Sequence, residues 1–370
     1  MKKSFEEVFI DKTRYGTKIK TDEYCKSGKH IIVDQSQNAI AGFTDLDSGL
    51  FTDVPAIIFG DHTRVIKYVD EPFFLGADGT KILRSNICNA NYKYLYYALK
   101  NARIPNTGYN RHFKWLKEIE IQYPDEKTQN NIVSLLDKVL YVINLRKDEL
   151  QKLDDLIRAR FVEMFGDLAN PECKWNKYPL INACLNKDDI KCGPFGTQLS
   201  KDEYTAEGIA VWEIPQINMG FQCAPTHFLT EEKANQLEAY SLIPGDIAMS
   251  RKGNVGKCAL FPEEYSNGII HSDVLRIRVD KKNVNPVFMM YQLHFSKAVT
   301  RQIELVSSGA IMAGVNVTKL KQICVHIPPI ELQQKFADFV TQIDKSKATV
   351  QKALDETQLL FDSLMQKYFG

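Results

Sequence analysis

YGTKIKTDEYCKSG at residues 15–28 and FGTQLSKDEYTAEG at residues 195–208 decide how the rest of the chain is read. At an offset of 180 the segments share Gly16/Gly196, Thr17/Thr197, Asp22/Asp202, Glu23/Glu203, Tyr24/Tyr204 and Gly28/Gly208, six identities in fourteen positions. Such self-similarity marks a repeated structural unit. Working outward, Asp78 matches Asp273 at an offset of 195, and LKEIEIQYPDEKTQ (116–129) matches LKQICVHIPPIELQ (320–333) at 204. The last offset continues without a gap to Phe165/Phe369 and Gly166/Gly370. The 370-residue chain is therefore a unit of about 166 residues present twice, the second copy longer by 24 residues, all gained before its closing segment.

Each copy has two parts. Residues 1–124 and 171–328 carry short apolar stretches such as VPAIIF and IKYV, punctuated by Gly, Pro, Asn and Asp. That pattern predicts strands and turns with a few helices, a mixed α/β globule. Residues 125–170 and 329–370 read as long helices. Pro124 and Pro328–Pro329 supply the start signals, Asp125, Glu126 and Glu331 suit the positive N-terminal end, and Gly166 and Gly370 stand where a C-terminal cap belongs.

Apolar residues recur along both helices at alternating spacings of four and three. The first series is Ile132, Leu136, Val139, Ile143, Leu150, Leu153, Ile157 and Met164, interrupted by Arg146 and Arg160. The second is Phe336, Val340, Ile343, Val350, Leu354, Phe361, Leu364 and Tyr368. This is a coiled-coil seam. A helix of this length spans roughly 60 Å, outrunning its own globule, so the matching stripe is its nearest partner. The fold expected is α+β: two mixed α/β globules joined by two long antiparallel coiled-coil helices, with an internal pseudo-two-fold repeat.

No run of about 18 apolar residues occurs, so no membrane helix is expected. The start, MKKSFEEVFIDK, lacks the apolar stretch of a signal peptide. The eight cysteines form no C-x-x-C pair and no zinc spacing. Together these predict a cytoplasmic protein with reduced thiols and no structural metal.

A search for chemistry returns little. GNVGK (253–257) has two residues between its glycines where a phosphate-binding loop needs four, and Cys258 follows the lysine. PDEK (124–127) could suggest a nuclease carboxylate pair, but the repeat replaces it with PPIE. NPVF (285–288) lacks the second proline of a base-methylase loop, and the seven histidines do not pair in sequence. No catalytic residue and no metal ligand is predicted.

Charge informs only by region. The net charge of +1 divides as +3 and +1 on the globules 1–124 and 171–328, and −2 and −1 on the helices. A polyanion-binding face must then be local. The basic clusters are His62 and Arg64 with Lys67, Lys81 and Arg84; Tyr109 to His112, with Arg111; Arg251, Lys252 and Asn254 with Lys257; and Arg276 with Arg278.

The duplicated pattern resembles the specificity subunit of type I restriction-modification systems over the whole chain. The likeness rests on KCGPFGTQLSKDEY (191–204), IPGDIAMSRKGNVGKCALF (243–261), HSDVLRIR (271–278) and VNVTKLKQICVHIPPIELQQ (315–334), leading into a heptad helix that ends in Phe-Gly. The first copy departs from it, with Arg14-Tyr15-Gly16 where the second has Pro194-Phe195-Gly196.

The resemblance implies that each globule is a target recognition domain for one half of a split site in double-stranded DNA, with the helices as spacer. It implies two methylation subunits bringing S-adenosylmethionine to methylate adenine, and restriction subunits using ATP and Mg. This chain would then hold no cofactor of its own and carry no catalysis. Arg14, Lys191 and Gln198 join the basic clusters as candidate DNA contacts, with Arg64, Gln198, Arg251 and Asn254 as base readers, since Arg suits guanine and Asn or Gln suits adenine. Two rival readings are a single-chain methyltransferase or nuclease, and a duplicated coiled-coil scaffold that does not bind DNA.

Overall fold

The computed structural model describes residues 1–370 apart from 77, 109, 171–172, 266 and 308–313, so Tyr109 of the Tyr109–His112 cluster lies outside the described residues. The chain divides into two compact units, Met1–Asp148 with Val350–Gly370, and Glu149–Thr349.

In the first unit, strands β1 (Phe9–Asp11), β2 (His30–Val33), β3 (Gly42–Thr44), β4 (Ala56–Gly60), β5 (Ile66–Val69), β6 (Phe73–Leu75) and β7 (Thr80–Ser85) form two sheets. One is antiparallel in the order β1-β7-β4-β5; the other runs β3-β2-β6, with β2 and β6 parallel. β4 reads AIIFG and every residue in it is buried, as a continuous apolar run requires of a strand covered on both faces. Ile31, Val33, Ile58, Phe73 and Ile82 join the sheets in one core. Helix α1 (Tyr92–Lys100) follows, capped by Asn91, whose side chain accepts the Tyr94 N–H at 3.0 Å.

The long helix α2 spans Glu126–Phe165. Asp125 accepts the Thr128 N–H at 2.9 Å, and Gly166, at φ 75°, takes the left-handed conformation that ends the helix.

The second unit repeats this plan. The strands of its two four-stranded sheets are β8 (Ile190–Cys192), β9 (Ile209–Trp212), β10 (His227–Leu229), β11 (Ser241–Leu242), β12 (Ile247–Ser250), β13 (Cys258–Leu260), β14 (Gly268–Ile270) and β15 (Val274–Ile277). The antiparallel sheet is ordered β8-β15-β12-β13, and the other β10-β9-β14-β11, with β9 and β14 parallel. Helix α3 (Pro286–Phe295) is capped by Asn285, as α1 is by Asn91. The extra length of this copy includes the short helices Ile214–Asn218 and Glu231–Gln236, strand β11, and helix α4 (Lys297–Ser307).

The closing helix α5 covers Ile330–Phe369. Gln333 is fully buried at its start and binds Asn285, Asn283 and Pro328 of the adjoining backbone. Its repeat counterpart Gln129, 3% exposed, donates to the Pro124 carbonyl at 2.8 Å.

Within the first unit Ile132, Leu136, Val139 and Ile143 of α2 and Leu354, Phe361 and Met365 of α5 are buried. The α1 rings reach α5 as well: Tyr94 packs 5.3 Å from Phe369, and Tyr97 6.3 Å from Phe361. Within the second unit Ile157, Phe161 and Phe165 of α2 are buried with Phe336 and Val340 of α5. There Asp154 pairs with Lys347 at 2.6 Å and Phe161 meets Phe336 at 5.4 Å, so the helices run antiparallel.

Leu150, Leu153, Ile343 and Leu364 are half-buried. The strict seam shifts at its ends, where Phe161 and Phe165 bury in place of Met164, and Met365 in place of Leu364. A third element explains the change. Phe288 of α3 lies 4.7 Å from Phe165, and Phe295 lies 5.9 Å from Phe161. A helix packed on two neighbours buries a wider stripe than a two-helix seam needs.

Candidate nucleic-acid interface

In the second unit the strand β12 ends in the loop Arg251–Lys257, a turn built on positive-φ glycines, Gly253 at 66° and Gly256 at 82°. Arg251 does not project freely. Its Nε donates to the Val315 carbonyl at 3.2 Å and an Nη to the Ser272 carbonyl at 3.4 Å. Its guanidinium also lies 5.5 Å above the Phe195 ring. Lys252 pairs with Asp273 at 2.7 Å, whereas Asn254 and Lys257 are exposed. Beside this loop Gln198 is exposed and accepts the Tyr240 hydroxyl at 3.0 Å. The Lys191 ammonium sits 4.9 Å over the Tyr240 ring.

Arg276 has to be corrected. The sequence reading placed it at the DNA surface, but it is 4% exposed, on β15. Its guanidinium donates to the carbonyls of Ala239, Ser241 and Asp188. Burial, then the neighbouring Arg278, holds its pKa below the ordinary arginine value. Strand alternation explains the error: the face of β15 that carries Arg276 is covered by residues 238–241, so the charge straps the sheet to that segment. Arg278 is likewise spent, on a two-pronged bond to Asp246 at 2.7 and 2.8 Å.

The first unit has a matching end. Arg14 is exposed, its guanidinium 4.7 Å from the Tyr15 ring. Lys18 pairs with Asp78 at 2.6 Å; Asp273, which aligns with Asp78, is paired instead by Lys252 from a different loop, while Gln198 stands at the place of Lys18. Hydrogen bonding to Lys18 is the main cause that holds the Asp78 carboxyl below its usual range, and exposed Arg111 adds to the effect. His62 is half-buried and its N–H donates to the Gln35 side chain at 3.2 Å. Arg64, at φ 60°, donates to the Ile104 carbonyl at 3.2 Å. Lys81 pairs with Asp11 at 3.2 Å and lies 4.9 Å over Phe113. Lys67 is 8% exposed and lies 3.6 Å from Asp34; burial pulls its pKa down and Asp34 partly restores it.

The structure therefore separates the candidates. Arg14 and Arg111 in the first unit, and Gln198, Asn254 and Lys257 in the second, present polar groups to solvent. Arg64, Arg251 and Lys252 are engaged by groups on other segments, and Lys81 is paired with Asp11 on the adjoining strand. Sequence reasoning missed two exposed aromatics, Tyr15 (54%) and Phe195 (50%). The signal in the sequence is their alignment at the offset of 180, an aromatic before the shared Gly-Thr in both copies.

The profile of the type I restriction modification DNA specificity domain matches residues 2–155 and again 193–357. The chain belongs to that family. The two matched stretches fall on the two copies of the repeat, so the specificity domain is present twice. A type I restriction enzyme MjaX specificity subunit of Methanocaldococcus jannaschii is 24% identical over 148 residues. That alignment covers 38% of this chain and 34% of the relative, so the match spans about a third of the relative's length.

Among solved structures, the type I restriction-modification S subunit from M. genitalium superposes with a TM-score of 0.59 at 17% identity. It covers 100% of this chain and 96% of that one. A chain from a study of complex assembly and conformational transition of the type I system gives 0.54 at 16% identity, covering 100% and 97%. At these identities the likeness is one of fold: two mixed α/β globules and two long helices. Among the described residues of this specificity subunit no helix is long and apolar enough to cross a membrane.

Proposed function

We propose that each globule of this specificity subunit reads one half of a bipartite double-stranded DNA site, and that the chain thereby directs adenine methylation by two partner methylation subunits. Those subunits would supply S-adenosylmethionine, and restriction subunits would add ATP- and Mg-dependent cleavage. This chain contributes sequence choice and no catalytic group.

The observation that carries the reading is the repeat itself. The sheet pair and the capped helix recur, and the aligned Asp78 and Asp273 each hold a lysine, though Lys18 and Lys252 come from different places in the repeat, while the exposed polar residues around them differ. One scaffold with two sets of exposed side chains suits a target whose halves differ, because base edges are read by side chains and phosphate contacts only position the domain. The scaffold reading without DNA leaves the family membership and the differing loops without a purpose.

The test is to express the chain with candidate methylation subunits and map modified adenines across a genome. An asymmetric split motif is the expected result. Methylation without a motif, or a motif unchanged when this chain is replaced by another specificity subunit, would reject the proposal.

A further inference from the structure

Tyr15 and Phe195 stand at the same place in the two copies, 180 residues apart. Both rings are about half exposed, 54% and 50%. A single apolar side chain in solvent needs no explanation. Equal exposure at repeat-equivalent positions, at the head of the segment most alike in the two copies, does.

Each ring is backed by a guanidinium, at 4.7 Å from Arg14 and at 5.5 Å from Arg251. The cations have different origins. Arg14 is the chain neighbour of Tyr15, whereas Arg251 arrives from the loop after β12 and is fixed by Val315 and Ser272. The backbones differ too. Tyr15 ends a 3-10 turn, Thr13–Tyr15; Phe195 opens a turn closed by the Gln198 N–H at 2.7 Å. What the two copies keep is the product: an exposed aromatic supported by a cation, beside the exposed polar candidates. A guanidinium held against an aromatic ring restrains the ring and places positive charge where a phosphate backbone would lie.

We infer that Tyr15 and Phe195 are paired aromatic wedges, one for each half-site, whose rings stack against a base of the bound duplex. The inference rests on the reading that the globules bind DNA. Every base offers a π-face, so stacking adds affinity with little sequence preference. Side chains pushed against a base step partly unstack it. Sequence would then be read by neighbours such as Gln198 and Asn254, while the wedges set register and local distortion.

The experiment uses the full chain assembled with its methylation subunits, and duplexes carrying the methylation-mapped site with 2-aminopurine at successive positions. Binding should raise emission at one position in each half-site. Phe195→Ala should abolish the rise in the second unit's half alone, and Tyr15→Ala in the first unit's half alone, each weakening binding about ten- to hundredfold, as loss of one stacked base would. Phe195→Trp and Tyr15→Phe should preserve the signal, showing that the loops fold. Phe195→Leu, which keeps apolar bulk without a π-face, should lose it. Tight, salt-dependent binding with flat emission at every position, or alanine variants that keep the rise, would overturn the wedge and leave DNA recognition standing. A complex that does not bind the duplex at all would overturn the underlying reading instead.

Discussion

Tyr97 donates its hydroxyl to Oδ1 of Asp137 at 2.6 Å, joining the helix α1 of the first globule to the long helix α2. The other carboxylate oxygen takes Lys93 at 2.6 Å, so the Asp137 charge remains paired if the tyrosine is lost. Burial first, then the bond to Asp137, pushes the Tyr97 hydroxyl well above the ordinary phenol range, which keeps it a donor. A hydrogen bond to a charged group contributes about 1.5–3 kcal/mol. Tyr97→Phe should therefore destabilise the first unit by about 1.5 kcal/mol, seen as a lower urea midpoint and faster amide exchange across residues 92–100. Unchanged exchange there would show that ring packing alone holds the junction.

His294 sets a pH dependence in the second unit. Its Nε2 accepts the Cys258 N–H at 3.1 Å, a bond that needs the neutral ring. Burial, helped by nearby Lys257, lowers its pKa from 6.5. The folded state thus takes up this proton less readily than the unfolded chain does. The stability involved is complete above pH 6.5 and is lost as the pH falls from there through the lowered folded value. His326, also lowered by burial, acts with the same sign. Urea unfolding of the second unit should show a lower midpoint at pH 5.5 than at pH 7.5. His294→Gln should shrink that difference and leave the part due to His326; an equal difference in both proteins would exclude His294 as a source.

Asn254 and Lys257 flank the same turn and should fail in different ways. Asn254→Ala should leave one half-site degenerate at one base pair, because losing a bidentate base contact costs about 1–3 kcal/mol. Lys257→Ala should weaken binding at all sequences and reduce the salt slope by about one, the mark of a phosphate contact. Arg251→Ala should instead loosen the whole loop, since its guanidinium is committed to Val315 and Ser272. Methylation profiling and salt titration of binding separate the three outcomes. Degeneracy caused by the lysine change and a uniform loss caused by the asparagine change would reverse the assignment.

The repeat and the long helices were legible because periodicity is local. Apolar spacing from Ile132 to Ile143 fixes a buried stripe wherever the helix lies. The widening to Phe161 and Phe165 was not legible, because it depends on Phe288 and Phe295, more than 120 residues along the chain. The basic loops failed for the same reason. Arg251 and Arg276 look alike in sequence as charges beside strands, and only tertiary packing reveals that one is tied to distant carbonyls and the other buried. Charge marks a candidate surface; which cations remain free depends on acceptors brought in by other segments.

A fragment of residues 1–170 should form a symmetric dimer that directs methylation to a palindromic split site. In the intact chain the first unit's stripe is completed by residues 350–370, and truncation uncovers Ile132, Leu136, Val139 and Ile143. Each such side chain is worth about 1.5–3 kcal/mol when buried, so a substitute helix is strongly favoured. A second copy of the fragment offers one in matching register. At the offset of 204, Ile157, Phe161 and Phe165 are the counterparts of Phe361, Met365 and Phe369, the residues that bury beside or pack on the α1 tyrosines. An antiparallel pair of identical helices is self-complementary about a two-fold axis. The hazards are Arg160 and Arg146. Arg160 pairs with Glu163 at 2.7 Å and so brings its own counter-charge, which leaves Arg146 as the residue whose repulsion across the axis would weaken the dimer. Arg146→Leu should tighten it. Both recognition globules would then be the first one, and the methylated motif should read as its half-site followed by the inverted copy. Sedimentation of the fragment and methylation mapping with the partner subunits test this; a monomer, or a motif that retains the second unit's half, would show that the two copies are not interchangeable.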